Sequence, residues 1–271
     1  MSKIGIMQGR LSKQINGKIQ AFPWKTWKEE FTIAKNLGFS TIQFIIEDPD
    51  HKNNPLLTDH GNSEICEVVS KTGVTIDHIC ADYFMQNPII RASSKDLIER
   101  IDVLIELIRR SPHMGILGVE LPMVDNSSIK TSDEKKSFIK ALKEPLALAR
   151  ELNIEIGLET DLNPTAFKRL LEEIDHPSIK ANYDIGNSAS LGYDTYEEIT
   201  TIARWISNVH IKDRVFGGTT VPLGAGNANF EKSFSALKEI NYTGPYIFQA
   251  ARGTDDILTA KNNLKFLKKY L

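Results

Sequence analysis

The chain has 271 residues, of which 41% are hydrophobic and 25% charged, and its formal net charge is −2. This is enough for one large barrel or two small domains with an ordinary core, and it excludes a surface charged for nucleic acid or an anionic membrane. No apolar run approaches the roughly 20 residues that span a bilayer. The opening MSKIGIMQGR lacks the apolar stretch of a signal peptide, and Cys66 and Cys80 form no C-x-x-C pair. The expectation is a cytoplasmic protein with buried thiols.

In chain order, short apolar runs alternate with segments of helical periodicity. KIGIMQ (3–8) is the first expected strand, followed by a long loop over 9–23 and a helix with Trp27, Phe31, Ala34 and Leu37 on one face. TIQFIIE (41–47) is the second strand and precedes a loop over 48–60. VTIDHIC (74–80) is the third, with a loop over 81–94 and a helix striped by Leu97, Ile98, Ile101, Leu104, Ile105 and Ile108. GILGVELP (115–122) and IEIGLET (154–160) are the fourth and fifth. Asn163 before Pro164 is a helix cap followed by proline in the first turn, and Phe167, Leu170, Leu171 and Ile174 share the buried face beyond it. SIKANYD (178–184) is followed by Thr195 and Glu198 at the spacing of a capping box. NVHIK (208–212), a loop over 213–228, and a helix with Phe230, Phe234, Leu237 and Ile240 come next. PYIFQ (245–249) and a helix within Thr254–Leu271 complete the chain.

Eight such units at this length match an α/β chain folded as a single (β/α)8 TIM barrel, with residues 1–271 as one domain. The alternative, a doubly wound open sheet, needs a glycine-rich phosphate turn after its first strand, whereas MQGRLS has one glycine and no G-x-G-x-x-G. The four long loops all follow strands and so belong to the carboxyl mouth, where barrel sites are built.

Alternation along the strands then selects the side chains that point inward. Strands five to eight end in GLET, NYDIGN, VHIKD and YIFQA, which direct Glu159, Asp184, His210 and Gln249 to one place. Two carboxylates, an imidazole and an amide oxygen form the donor set of one divalent metal ion: manganese, magnesium, cobalt or zinc.

The runs GLET, YDIGN and VHIKD, with VPLGAGNANFEKSFSALKEINYTGPY after strand seven, resemble the xylose isomerase-like barrel family. Within it they are similar to the branch of sugar-phosphate 3-epimerases acting on L-ribulose or L-xylulose 5-phosphate. IGIMQGRL at the start extends the likeness over nearly the whole chain. The resemblance implies one metal held by Glu159, Asp184, His210 and the residue at 249, a small carbohydrate substrate handled through an enediolate, and a homodimer or homotetramer. In that branch two glutamates serve as paired acid–base groups on opposite faces of the sugar. Here the second is Gln249, which ligates through its oxygen but carries no proton at neutral pH. Gln43 likewise stands where family members often have Glu. Glu120, at the end of strand four, is the candidate replacement base. The amide leaves three chemistries open: epimerisation with a substitute base, a one-base isomerisation or dehydration (a dehydratase or keto-cyclitol isomerase), and sugar binding without turnover.

Further candidates for contact with substrate are Gln8 and Arg10 at the end of strand one and His78 near the end of strand three, with Asp82. Asn187, Lys212, Arg214 and Arg252 lie beyond strands six, seven and eight, and Trp24 and Phe84 are candidates for an apolar wall. The endonuclease branch of the same superfamily is set aside. Its three-zinc site needs many histidines, this chain has six, Asn187 stands where that pattern wants His, and the net charge is wrong for DNA.

Overall fold

The computed structural model describes residues 3–271. Its barrel strands are β1 (Ile4–Met7), β2 (Thr41–Ile45), β3 (His78–Cys80), β4 (Gly118–Met123), β5 (Glu155–Thr160), β6 (Ile179–Asp184), β7 (Ile206–Ile211) and β10 (Tyr246–Phe248). They close in the order β1-β10-β7-β6-β5-β4-β3-β2, and the first and last strands pair in parallel through Ile4↔Tyr246 and Ile6↔Phe248. All eight expected strands are present. The loop over 213–228 holds an added two-stranded hairpin, β8 (Asp213–Arg214) with β9 (Thr220–Val221).

Residue contacts fall into two groups. One runs to Gln43, adds Thr72–Val74 and resumes over Asn182–Leu271; the other comprises Phe44–Lys71 and Thr75–Ala181. Two of the borders fall inside single strands, between Gln43 and Phe44 in β2 and between Ala181 and Asn182 in β6.

Register sets the depth of each inward residue. In the second group His78 pairs with Gly118 and Gly118 with Glu155, the first residues of β3, β4 and β5. Cys80, Glu120 and Gly157 form the next inward level, and Pro122 and Glu159 the one beyond it. The aliphatics expected to face the helices, Ile156, Leu158, Val209, Ile211 and Phe248, are at most 1% exposed, which supplies the apolar burial that holds strands to helices.

The helices α1 (Trp27–Leu37), α2 (Asp59–Thr72), α3 (Tyr83–Gln86), α4 (Ser94–Arg110), α5 (Ser132–Ala141), α6 (Lys143–Glu151), α7 (Pro164–Ile174), α8 (Ile185–Leu191), α9 (Thr195–Thr201), α10 (Phe230–Glu239) and α11 (Asp256–Leu267) lie between the strands in sequence. α7 begins as expected: the Asn163 side chain accepts from the Ala166 N–H at 2.9 Å with Pro164 in the first turn. Replacing Asn163 by Ala orphans that N–H and is expected to cost about 1 kcal/mol in equilibrium denaturation.

Two helix expectations are corrected. Ile98 is 64% exposed, and the buried face of α4 lies one turn later, on Val103, Leu104, Ile105, Leu107 and Ile108. Thr195 and Glu198 form no capping box. Asp194 caps α9 instead, accepting from the N–H groups of Tyr196 and Glu197 at 3.0 Å. A carboxylate one residue earlier is the stronger acceptor. Thr195 and Glu198 are thereby left to bond the buried Tyr183 hydroxyl at 2.7 and 3.2 Å. Of the two thiols, Cys80 is buried and Cys66 only partly. Among the described residues no helix is long and apolar enough to cross a membrane.

Candidate active site

Five inward side chains of β2, β6 and β7 form one buried polar cluster: Gln43, Asn182, Asp184, Asn208 and His210, none more than 4% exposed. Spacing by two residues places Asn182 below Asp184 and Asn208 below His210 on the same strand faces. His210 Nε2 donates to Gln43 Oε1 at 2.9 Å, and Asn208 Nδ2 donates to the same oxygen at 3.1 Å and to Asn182 Oδ1 at 2.7 Å. Asn182 Nδ2 lies 3.2 Å from His210 Nδ1, and Asp184 Oδ2 lies 3.6 Å from it. The ring is thereby held between Gln43 on its Nε2 side and Asn182 and Asp184 on its Nδ1 side. The amides thus orient a histidine in the way outer partners orient metal ligands.

Lys212 closes the upper side of this cluster. Its Nζ donates to Asp184 Oδ2 at 3.1 Å and to Gln249 Oε1 at 2.9 Å. Burial would raise the Asp184 carboxyl, but the Lys212 charge and the His210 imidazole beside it outweigh that and hold it below the usual carboxylate range. Asp184 Oδ1 also accepts the Asn187 N–H at 2.8 Å, which starts α8.

On β3 and β4, the Cys80 thiol donates to Asp82 Oδ1 at 3.3 Å and to Glu120 Oε1 at 3.5 Å. Burial, reinforced by the carboxylates of Asp82, Glu120 and Glu159, pushes this thiol well up, so it remains a donor. Glu120 is 3% and Glu159 5% exposed. Glu120 and Glu159 project inward from the adjacent strands β4 and β5, one level apart. Their oxygens are the kind of donor a divalent cation takes. Asp184 and Gln249, two more of the expected ligands, both accept from Lys212.

The remaining candidates take other places. His78 opens β3 and lies at the level of Gly118 and Glu155, away from the mouth; its Nε2 is 3.9 Å from Glu155. The sequence reading put His78 near the end of the third strand; in the fold β3 begins at His78 itself. Gln8 is buried, with its N–H on the Gln43 carbonyl at 3.0 Å. Phe84 is fully buried and forms no wall, whereas Trp24 is 40% exposed.

The three arginines bind loop carbonyls. Arg10 donates to Ala250 O at 3.1 Å, to Ile19 O, and to Gln20 Oε1 at 3.2 Å. Arg252 donates to Gly9 O at 2.6 Å, to Ser12 O, and to Asp256 at 3.0 Å. Arg214 donates to Gly218 O at 2.7 Å and to Asn187 Oδ1 at 2.9 Å. Their planar forks hold the walls of the mouth. The sequence reading gave no site role to Asn182, Asn208, Cys80 or Gln20. The first three were detectable as polar residues in phase with His210, Asp184 or Glu120 on their own face or a neighbouring one; Gln20, in an irregular loop, carried no such signal.

The profile of a family described as xylose isomerase-like TIM barrel matches residues 31–270. The chain belongs to that family. Among its curated relatives, the L-ribulose-5-phosphate 3-epimerase UlaE of Salmonella heidelberg (strain SL476) is 26% identical over 250 residues, covering 88% of each chain. A solved L-ribulose 3-epimerase superposes with a TM-score of 0.78 at 20% identity, covering 100% of this chain and 95% of that one. The IOLI protein, solved with a binding zinc atom, superposes with a TM-score of 0.76 at 18% identity, covering 99% of this chain and 96% of that one. At these identities the two structures show the shared fold.

Proposed function

We propose that the chain, working as one domain over residues 1–271, is a metal-dependent isomerase or epimerase of a small sugar or sugar phosphate. The observation that carries this reading is the set of buried acids and imidazole at the strand ends, Glu120 and Glu159 in one group of contacts and Asp184 and His210 in the other, in a chain whose relatives are named sugar-phosphate epimerases. Glu159, Asp184 and His210 would hold the ion, with Gln249 kept on Lys212, whose third N–H is left for substrate. When bound, a divalent ion polarises the carbonyl of a ketose and acidifies the neighbouring C–H. Glu159, on the mouth side of Glu120, takes that proton, leaving an enediolate. Gln249 cannot return one, so inversion requires Glu120 as the second carrier; without it, the chemistry is a one-face aldose–ketose isomerisation.

The test has two parts. Calorimetric titration with manganese or zinc is expected to show tight binding that His210→Ala lowers by about 100-fold or more, beyond the usual cost of removing an outer partner. Glu120→Gln should weaken the same titration, because it removes a charge one level from Glu159. Deuterium from solvent should then enter L-ribulose 5-phosphate on incubation with the metal-loaded protein. Unchanged affinity in His210→Ala would end the metal assignment, metal without deuterium uptake would leave a dehydratase or a sugar-binding barrel, and no metal at all would favour the binding barrel.

A further inference from the structure

Gln249 is bonded at both ends to groups whose chemistry allows only one orientation. Lys212 Nζ has no acceptor capacity, so the atom facing it at 2.9 Å is the carbonyl oxygen of Gln249. The guanidinium of Arg10 is equally donor-only, so the Gln20 atom facing it at 3.2 Å is Oε1. The Gln249 amide nitrogen meets that same Gln20 oxygen at 3.3 Å. The chain of donors is therefore fixed: Lys212 to Gln249, and Gln249 with Arg10 to Gln20. Gln20 lies in the long loop between β1 and α1, behind an exposed tip that includes Asn16 and Gly17. A glutamate at 249 would still accept from Lys212, but its second oxygen would face an oxygen that Arg10 holds in place. Two acceptors at that distance repel.

We propose that Gln249 is a positioning residue that joins the Lys212 ammonium to the loop over the first strand. Lys212 has three N–H groups, and Asp184 and Gln249 take two of them. With 14% of its side chain exposed, it keeps the third for an oxygen of the substrate. A carbonyl or enediolate oxygen of a sugar is the chemistry that suits an ammonium so placed. The loop's order and the lysine's position are thereby coupled through one neutral amide, which accepts at one end and donates at the other. The substrate half of this proposal rests on the sugar reading above; the joint itself does not.

Hydrogen–deuterium exchange on the full chain, without metal or sugar, tests the joint. Amides over 13–21 are expected to exchange about tenfold faster in Gln249→Glu and in Gln20→Ala than in the wild type, following the loss of the loop's anchor. Gln20→Ala keeps the test open should Gln249→Glu fail to fold. In metal-loaded protein, Gln249→Glu is expected to raise KM for L-ribulose 5-phosphate about tenfold with kcat within about twofold, the pattern of lost binding and not of lost chemistry. Unchanged exchange over 13–21 in both variants would overturn the joint. So would a higher kcat for 3-epimerisation in Gln249→Glu with the loop still protected, since that residue would then be a replaced base. Faster loop exchange with no turnover of the sugar by any variant would uphold the joint and reject the sugar reading.

Discussion

On the proposed function, with L-ribulose 5-phosphate as the probe, replacing Glu159 by Gln is expected to lower turnover by about 10²–10⁴-fold, the range spanned by a single acid–base group. The two side chains are nearly isosteric, and the amide keeps one oxygen as a donor to a cation. What it loses is the capacity to accept a proton from carbon. Metal affinity should accordingly fall far less than turnover, and this difference separates the base from a mere ligand. The decisive measurement is solvent deuterium entering the ketose phosphate in a metal-loaded sample. Loss of exchange together with loss of turnover identifies Glu159 as the group that removes the proton. Exchange at the wild-type rate would move that role elsewhere, first to Glu120, one level away on the adjacent strand β4.

The stability of the fold should fall by roughly 3 kcal/mol between pH 4.5 and pH 8 because of Glu30 alone. This carboxyl is 1% exposed in α1 and accepts the N–H groups of Gly9 and Leu11 at 2.9 Å. Burial pushes it up to about 7, against the pull of those two N–H groups and of Arg252. An ordinary glutamate of the unfolded chain ionises near 4.5. The folded state thus binds the proton more tightly, so the stabilisation is complete below the unfolded value and is lost as pH rises through about 7. Each unit of difference corresponds to about 1.4 kcal/mol. Glu198 adds an effect of the same sign: its burial beside Tyr183 and Ser188 also pushes it up to about 7. Asp184 acts oppositely, being held low, and supplies stability that is lost in acid. Denaturant midpoints of metal-free protein should therefore peak near pH 5 and decline toward pH 8. Glu30→Gln should be less stable throughout, because its amide can accept only one of the two N–H bonds well, yet its decline with pH should be clearly shallower. An unchanged slope in that variant would show that Glu30 is not the group responsible.

The chemistry of Glu30 also explains the position of the first loop. Gly9 has a φ of 82°, and a Cβ there would lie 2.5 Å from the Ala21 carbonyl oxygen. The loop can fold back on itself only with glycine at this point. Gly186 is constrained differently: a Cβ there would meet Lys212 Cγ at 2.7 Å, so its bare backbone leaves room for the lysine that reaches Asp184.

Local pattern was sufficient for the eight strands, the cap at Asn163 and the inward direction of Glu159, Asp184 and His210. Those features depend on period-two alternation, 3.6-residue periodicity and short-range capping, all of which act between residues near one another in the chain. Depth along a strand was not legible in the same way. VTIDHIC reads as one seven-residue run, yet the strand is His78–Cys80 with Thr75 an isolated bridge before it, and this puts His78 level with the first residue of β4. The Thr195 misreading has the same origin. Its hydroxyl had a local use as a cap and a distant one at Tyr183, and the distant partner prevailed once Asp194 could serve the helix.

The residue types at the four strand ends, and so the capacity for oxygen-and-imidazole ligation, are properties of the amino-acid order alone. Which donors meet which partners is not, because hydrogen bonds and ion pairs form between groups brought together by closure of the sheet. Folding joins Lys212 to Asp184 and Gln249, and carries Gln20 across 229 residues of chain to meet Gln249. An amide that reads along the chain as a missing base is, in the folded molecule, the acceptor for one cation and the donor to a loop.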